Sequence, residues 1–301
     1  MYATFAGMNM TPQLAIPITV LPPEPHLQLF PMIGPARCVA WTNQNFPKRK
    51  VLASVYHKIN LGLQVLEKLP SGYHALETVF YPCRNFEDTI EITPASQFSF
   101  TIENADFHCD VEKNLCVKTY RLLQNHFDLP AVEITLTKQI PSGAGLGGGS
   151  ADAALVLKML NDLFALQISS VQLHEFAAQL GSDVPFFLYE TPMYATGRGE
   201  ILTPLALDLS KYKIEIVCPN ISISTAQAYS LITPKKPEYS LNQIIRSPIK
   251  TWKTNLMNDF EEVIFKQHPQ LQEIKDELYE RGAVYAAMSG SGSAMFGIFE
   301  N

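Results

Sequence analysis

The sequence has few charged residues and no long basic run. Lys, Arg, Asp and Glu make up 17% of the 301 residues, and the formal net charge is -6. The basic stretch at 48–50 is too short to indicate a nucleic-acid site, so we expect no nucleic-acid partner.

Long apolar runs and paired cysteines are also missing. No stretch reaches the ~18 apolar residues of a membrane helix, so no membrane partner is expected. The five cysteines form no C-x-x-C pair, and free buried thiols in a reducing cytoplasm are the simplest explanation; they are Cys38, Cys83, Cys109, Cys116 and Cys218. We therefore predict a cytoplasmic protein.

The first 50 residues contain no serine and only one acidic residue, Glu24. Eight prolines interrupt any helical or strand period there. The segment lacks the charged-then-apolar order of a secretory signal, and the missing serine argues against a transit peptide. We predict that 1–50 is an appendage, either disordered or translated from upstream of a true start near Val51.

Glycine is concentrated in one loop, PSGAGLGGGS at 141–150. The alternating, β-branched run 132–137 before it predicts a strand, and apolar residues at helical spacing after it predict a helix. A strand, glycine loop and helix in this order place free N–H groups and the positive end of a helix dipole together, as a phosphate cradle requires. The alternative is a flexible turn, although a linker would not join a strand directly to an apolar-faced helix.

Two common nucleotide motifs are absent from this loop. No lysine precedes Ser150, as G-x-x-x-x-G-K-[ST] would require. No acidic residue ends a second strand about twenty residues later, as a dinucleotide fold would require. A different nucleotide-binding architecture is therefore needed.

The remaining patterns predict strands and helices in irregular order, which indicates α+β layers. Strands are predicted at 51–66, 74–81, 89–92, 98–102, 193–196, 213–218, 283–288 and 294–299. Helices are predicted at 114–127, 226–231, 256–265 and 271–280, and a capping box at Ser169 predicts another that ends before Gly181.

The segment PSGAGLGGGSADAA at 141–154 resembles the second motif of the GHMP kinases, which phosphorylate galactose, homoserine, mevalonate and related alcohols. Further motifs follow the family's order from about residue 55 to the end: KINL at 58–61, GYH at 72–74, GSDVPFF at 181–187, GRGEIL at 197–202 and SGSGS at 289–293. Together they most resemble a subgroup whose acceptor alcohol carries a cytidine diphosphate group.

The resemblance implies a two-domain α+β architecture, with an N-terminal S5-like domain and a C-terminal ferredoxin-like domain. We place the ATP-binding domain at 51–208 and the C-terminal domain at 209–301. Because the family usually adds another helix and strand, we expect a truncated C-terminus, which would leave an exposed sheet edge.

The resemblance also assigns catalytic roles, because phosphoryl transfer needs positioning and a group that takes the hydroxyl proton. Asp183 matches the family's catalytic aspartate, although a turn or helix-capping aspartate is the commoner local use. Lys58 would keep Asp183 ionised, the alternative being a strand-end lysine in water. Asn60 shares the Lys58 face at period two and could hydrogen-bond the substrate.

For the acceptor, the resemblance makes Tyr73 a stacking platform for the cytosine ring and His74 a hydrogen-bonding partner of its edge. Tyr229 would cover the opposite face, with Thr225 nearby, although the family often has phenylalanine at the Tyr229 position. The alternative for Tyr73 and His74 is a strand-edge aromatic pair.

For the donor, the resemblance places the ATP phosphates on the glycine loop and the adenine near Asn114 and Lys138. Ala151 replaces a common second serine, and His57 replaces a small residue. No His or Cys cluster has metal-ligand spacing, so Mg²⁺ is expected to arrive with ATP rather than at a protein site. The loop residues assigned to ATP are Pro141, Gly143, Ala144, Gly145, Leu146, Gly147, Gly148, Gly149 and Ser150.

We therefore predict an ATP-dependent kinase, monomeric or homodimeric, that phosphorylates the 2-hydroxyl of a cytidyl-bearing acceptor. One alternative is a GHMP kinase acting on homoserine or mevalonate, which would not need the aromatic residues. The other is a nucleotide-binding module without catalysis, against which the retention of Lys58 and Asp183 argues.

Overall fold

The computed structural model describes residues 50–104 and 110–301. Of the predicted appendage 1–50, Lys50 alone is described. Cys38 and Cys109 also lie outside the described residues. Within the described ranges, no helix is long and apolar enough to cross a membrane.

Two long antiparallel strands, Val51–Lys68 and His74–Pro94, form the centre of the first sheet. Along its other edge, the second of these strands pairs with two shorter strands. The first part of β2 pairs with β5, and the last part pairs with β4. β3 runs parallel to β4, and β6 closes the other edge. The six strands are β1 (Val51–Lys68), β2 (His74–Pro94), β3 (Ser99–Glu103), β4 (Val132–Thr137), β5 (Met193–Thr196) and β6 (Ile201–Pro204).

The prediction of separate strands at 74–81 and 89–92 is wrong, because β2 is continuous between them. Residues such as Pro82 and Arg84 interrupt the apolar alternation, but pairing with β1 continues beside them. A register shift between Tyr56 and His57 accommodates the irregular stretch. β6 was not predicted, since a four-residue strand next to glycines gives little periodic signal.

Three helices accompany the first sheet: α1 (Leu115–His126), α2 (Gly148–Leu163) and α3 (Ser170–Leu180). Apolar residues of α2, including Val156 and Leu160, share one core cluster with Ile90 of β2 and Ile134 of β4. The capping box at Ser169 is confirmed, and α3 ends before Gly181 as predicted.

The second sheet has the antiparallel order β7–β9–β8. Its strands are β7 (Tyr212–Val217), β8 (Tyr285–Met288) and β9 (Met295–Glu300). The accompanying helices are α4 (Thr225–Leu231), α5 (Leu241–Ile244), α6 (Trp252–Asn255), α7 (Asp259–Gln267) and α8 (Pro269–Glu280). The chain changes sheet between β6 and β7, and the exact domain boundaries at 51–208 and 209–301 remain predictions.

The start predicted for α7, at residue 256, is wrong. Asn258 accepts a hydrogen bond from the Phe260 N–H and is therefore the N-cap, so the helix begins at Asp259. α5 and α6 were missed because four residues are too few to establish a helical period.

Strand β1 contributes side chains to all three apolar clusters of the described residues. Val55 joins the cluster beneath α2, Ile59 packs with residues of the second sheet, and Val65 packs with α7 and α8. Lys58 and Asn60 lie in the middle of this strand, so packing on several sides fixes their backbone.

Candidate active site

Lys58 is a buried lysine whose ammonium group has three close oxygen neighbours. Its Nζ donates to Asn60 Oδ1 at 2.5 Å and to the Gly145 carbonyl oxygen at 2.9 Å. The same atom lies 3.4 Å from Asp183 Oδ2 and 5.2 Å from the centre of the Phe80 ring. The alternative of a strand-end lysine in water does not describe this side chain.

Burial lowers the pKa of the Lys58 ammonium below its ordinary value, and the negative charge of Asp183 acts in the opposite direction. The ion pair with Asp183 therefore favours the charged form of Lys58. Removing Asp183 would leave the buried ammonium with neutral oxygen partners only.

Asp183 precedes the 3-10 turn Val184–Leu188 but does not cap it, because its side chain makes no capping hydrogen bond. The residues that follow it, Val184 to Phe187, are buried and anchor the turn. The carboxylate itself is about one-third exposed, with 34% of the side-chain surface accessible. It is thus fixed by its backbone and open to a ligand on one side.

The glycine loop crosses the site between β4 and α2. Gly145 has φ +78°, and a Cβ there would lie 2.0 Å from the Ser289 carbonyl oxygen. Gly147 has φ +76°, and a Cβ there would lie 2.9 Å from the Phe187 ring and 3.1 Å from Lys58 Cε. Both positions therefore need glycine for conformation and for space.

Helix α2 begins directly after this loop, and its N-cap, Gly147, has no side chain with which to cap the helix. The N–H groups of its first turn have no intrahelical partner and point toward the start of the helix. Together with the positive end of the helix dipole, they form the kind of cradle that binds phosphate.

The loop at 289–293, between β8 and β9, closes the glycine loop from the second sheet. Ser289 Oγ donates to the Gly145 carbonyl oxygen at 2.9 Å and accepts from the Asn60 N–H at 3.2 Å. The Ala294 N–H donates to the Ala144 carbonyl oxygen at 3.0 Å. Asn258 Nδ2 donates hydrogen bonds to the carbonyl oxygens of Met288 and Gly290, at 2.8 and 2.9 Å.

Aromatic residues line the same cavity as the glycine loop, and we call them the aromatic wall. The His74 and Tyr229 rings are stacked, with centroids 5.0 Å apart and an interplanar angle of 17°. Tyr229 also packs edge-on against Phe260 at 4.9 Å. Tyr73 is 58% exposed, and the Arg198 guanidinium lies 5.0 Å from its ring centre. In this structure His74, not Tyr73, faces Tyr229.

His74 has a pKa lowered by burial and by the nearby positive charge of Lys68. Its imidazole is therefore neutral at physiological pH and can both donate and accept a hydrogen bond. Thr225, at the start of α4, lies on the same side, with its Oγ1 3.1 Å from Ser291 Oγ.

One cavity of about 770 Å³ collects most of the predicted site residues. The predicted residues that line it are Lys58, Asn60, Tyr73, His74, Gly143, Gly145, Gly147, Asp183, Thr225 and Tyr229. Predicted residues that are not among those lining this cavity are Asn114, Lys138, Pro141, Ala144, Leu146, Gly148, Gly149 and Ser150.

Asn114 and Lys138 have partners of their own within the fold. Asn114 Oδ1 caps α1 by accepting from the Cys116 N–H at 2.8 Å. Lys138 Nζ is buried and forms ion pairs with Asp88 and Asp152. Their predicted contact with adenine stays a prediction.

Several cavity residues were not singled out from the sequence. Arg198 belongs to a recognised motif, but its position over Tyr73 depends on the turn between β5 and β6. Thr78 is buried, accepts from Asn60 Nδ2 at 3.0 Å and donates to the Gly62 carbonyl oxygen at 2.6 Å. Its place opposite Leu63 in the β1–β2 register carries no local sequence signal.

Comparison with known proteins agrees with this geometry. The models of the GHMP kinase N-terminal and C-terminal domains match residues 114–191 and 243–301. A 4-diphosphocytidyl-2-C-methyl-D-erythritol kinase from Parabacteroides distasonis is 48% identical over 243 residues, covering 81% of this chain and 89% of that protein. The chain belongs to the 4-diphosphocytidyl-2-C-methyl-D-erythritol kinases of the GHMP family.

Another member of this kinase family, from Bacteroides fragilis, is 50% identical over 246 residues, covering 80% of this chain and 89% of its own length. A crystal structure of 4-(cytidine 5'-diphospho)-2C-methyl-D-erythritol kinase superposes with a TM-score of 0.70 at 32% identity, covering 82% of this chain and 90% of that one. The predicted α+β, two-domain GHMP architecture is thereby confirmed.

A homoserine kinase from Cytophaga hutchinsonii has a TM-score of 0.60 at 18% identity, covering 82% of this chain and 85% of that chain. This likeness concerns the fold alone.

Proposed function

We propose that this protein transfers the γ-phosphoryl group of ATP to the 2-hydroxyl of 4-diphosphocytidyl-2-C-methyl-D-erythritol, in the non-mevalonate route to isoprenoid precursors. The observation that carries the proposal is the pairing of Lys58 with Asp183 at 3.4 Å in a cavity that also contains the glycine loop and the aromatic wall. Donor, acceptor and base can therefore meet in one enclosed space.

In this proposal Asp183 accepts the proton of the 2-hydroxyl as that oxygen attacks the phosphorus. The partial exposure of its carboxylate allows the hydroxyl to approach. Lys58 stabilises the negative charge that develops on the attacking oxygen. Asn60 and the Gly145 carbonyl oxygen orient the ammonium group through the hydrogen bonds described above.

The glycine loop and the N-terminus of α2 fit the ATP phosphates, because the N-cap Gly147 offers no side chain to the first N–H groups of the helix. Glycine at 145 and 147 also permits the close contacts that hold the loop in this conformation. Ser150, in the first turn of this helix, is our candidate for a phosphate or Mg²⁺ contact. Among the described residues, no group of three or more His, Cys, Asp or Glu could hold a metal. We therefore propose that Mg²⁺ is bound mainly through ATP, where it neutralises phosphate charge.

We assign the acceptor's cytosine to the aromatic wall. Stacking on Tyr73 or Tyr229 suits a flat base, and the neutral imidazole of His74 suits its polar edge. Because His74 occupies the face of Tyr229 in this structure, a base sandwiched by Tyr73 and Tyr229 would require His74 to move aside. Arg198 adds a positive charge beside Tyr73, which suits the acceptor's diphosphate.

The direct test is ADP release, measured in a coupled assay with ATP, Mg²⁺ and one candidate acceptor at a time. We expect ADP formation with the cytidyl acceptor and only background with homoserine, mevalonate or no acceptor. Activity on homoserine or mevalonate alone would assign a different acceptor. ATP binding without ADP formation on any acceptor would instead indicate a nucleotide-binding module. Whether the enzyme is a monomer or a homodimer remains a prediction for sedimentation to decide.

A further inference from the structure

Three ionisable side chains outside the cavity form a buried cluster behind the glycine loop. Lys138 Nζ donates to Asp152 Oδ2 at 2.9 Å and also to Asp88 Oδ2. The exposed fractions of these side chains are 6% for Lys138, 0% for Asp88 and 3% for Asp152. Burying charge is costly, so such a cluster needs a structural or functional reason.

The three residues come from the two ends of the glycine loop and from the strand beneath it. Lys138 follows β4, immediately before the loop, and Asp152 lies in α2, immediately after it. Asp88 on β2 uses its second oxygen to accept from the Gln139 and Ile140 N–H groups, at 2.6 and 2.9 Å. A Cβ on Gly148, the first residue of α2, would lie 3.2 Å from Lys138 Nζ.

We propose that Asp88, Lys138 and Asp152 form a loop clamp, a set of positioning residues that holds both ends of the glycine loop at the separation that ATP phosphates require. Lys138 then acts on ATP through the loop rather than by touching the nucleotide. The inference rests on the proposed function, because it assumes that this loop binds the phosphates.

The charge of the loop clamp gives it a signature that a passive structural cluster would not have. One ammonium faces two carboxylates, and Asp152 Oδ1 is buried with no hydrogen-bond partner among the described residues. Burial, together with the charge of Asp88, raises the pKa of Asp152 although Lys138 opposes the rise. A proton on Asp152 makes the clamp neutral, and its loss leaves a net negative charge close to the bound phosphates.

Among the described residues, the other titratable groups near the clamp do not supply this signature. Cys116 of α1 faces Asp152, and burial raises its thiol pKa well above the ordinary value, so the thiol stays neutral. His57 of β1 faces Asp88, and burial lowers its pKa to about 4, so the imidazole is neutral at physiological pH. ATP affinity should therefore fall with rising pH as Asp152 loses its proton.

The test measures the Kd for ATP by calorimetry from about pH 6 to 9 in wild type and two variants. Asp152→Asn keeps the shape and an oxygen acceptor for Lys138, so it should bind ATP nearly normally at neutral pH but lose the part of the pH dependence that is due to Asp152. The titration of ATP itself affects the pH dependence of wild type and Asp152→Asn equally, so it cancels when the two profiles are compared. Asp152→Leu releases one end of the loop and should raise the ATP Kd and KM about tenfold while the acceptor KM stays unchanged.

Asp162→Leu is the matched control, because Asp162 is an exposed aspartate at the other end of α2. It should leave both the ATP Kd and its pH dependence unchanged. Identical pH profiles for wild type and Asp152→Asn would overturn the clamp, as would normal ATP binding by folded Asp152→Leu. If Asp152→Leu does not fold, the Asp152→Asn profile decides alone.

Gly147→Val separates this inference from the proposed function. Loss of ATP binding in Gly147→Val combined with normal binding in the Asp152 variants would overturn only the clamp. Normal ATP binding by Gly147→Val would remove the phosphate role of the loop itself, and with it the proposed function.

Discussion

The proposed donor end of the cavity is built from backbone, whereas the proposed acceptor end is built from side chains. At the donor end, Gly145 and Gly147 adopt positive φ, and their neighbours lie so close that no side chain fits. At the acceptor end, Tyr73 is largely exposed and Arg198 lies over its ring. The first region offers close-packed backbone, and the second offers an exposed aromatic ring with a cation over it.

This difference follows from what each end has to recognise. Phosphate groups are the same in every nucleotide, so a rigid set of N–H groups recognises them without side-chain choice. A base and a methylerythritol group are specific shapes, and their recognition depends on side chains that can be exchanged between relatives. We therefore expect donor-end changes to impair any GHMP reaction and acceptor-end changes to alter substrate preference. The following predictions test that division.

The largest effect is expected between the two ends, at Asp183 and Lys58. Asp183→Asn removes the proposed base with little change of shape, so kcat should fall by about 10²–10⁴-fold while ATP affinity changes little. Lys58→Met keeps most of the apolar stem and should also lower kcat, since the developing oxyanion loses its nearest cation. Single-turnover rates with saturating ATP measure both losses.

The double variant tests whether the two residues act as a unit. Groups that work together give losses that do not multiply, so the double variant should be little slower than the slower single variant. Fully multiplicative losses would separate the two roles. A near-wild-type rate for Asp183→Asn would remove Asp183 as the base.

The next largest effect is expected at the donor end. Gly147→Val forces a β-branched residue into positive φ and against Phe187, so ATP affinity should fall by about 10- to 100-fold. Gly149→Ala is the matched control, because it keeps the backbone N–H through which Gly149 is assigned to ATP, and among the described residues a Cβ there would meet nothing nearer than Leu115 Cδ1, at 3.9 Å. Calorimetric ATP titration checks both, with far-UV circular dichroism as the folding control. Equal affinities would show that loop conformation does not govern phosphate binding.

A smaller effect is expected at the acceptor end. Tyr73→Ala should raise the acceptor KM by about tenfold, since stacking on a base is worth ~1–3 kcal/mol, and should leave the ATP KM unchanged. Because Tyr73 is exposed, stability should hardly change. Tyr229→Ala, by contrast, should lower both acceptor affinity and thermal stability, because Tyr229 packs on Phe260. An unchanged acceptor KM in Tyr73→Ala, with weakened ATP binding, would contradict the division of the cavity.

The two ends of the cavity also differ in how much of each could be predicted from the sequence. Local patterns predicted β4 and β5 with the observed bounds, and period two placed Asn60 on the face of Lys58. Motifs indicated which residues belong to the site. All five residues predicted for the acceptor line the cavity, whereas of the residues assigned to ATP only Gly143, Gly145 and Gly147 do.

The contacts that the sequence could not predict join residues that are far apart in the chain. Ser289 follows a predicted strand, but its hydrogen bond to Gly145 joins residues 144 positions apart and depends on the packing of both sheets. The stacking of His74 on Tyr229 likewise depends on how α4 meets the start of β2. The sequence also predicted Lys138 as an ATP contact, while its buried ion pairs become visible only when β2, β4 and α2 are assembled.

The smallest effect concerns His57, which lies behind the donor end, next to Lys58. Burial lowers its pKa from 6.5 to about 4, so between these values the unfolded chain binds the proton more strongly and stability falls as pH falls. This contribution to stability is complete above pH 6.5, and its loss between about pH 7 and 5 should lower the free energy of unfolding by about 2 kcal/mol or less.

His57→Gln removes the titrating group. Urea unfolding at pH 7 and pH 5 should therefore give a smaller difference in the free energy of unfolding for this variant than for wild type. His126→Gln, at an exposed histidine of α1, controls for the loss of a histidine as such. The same pH difference in all three proteins would mean that folding does not depend on a neutral His57.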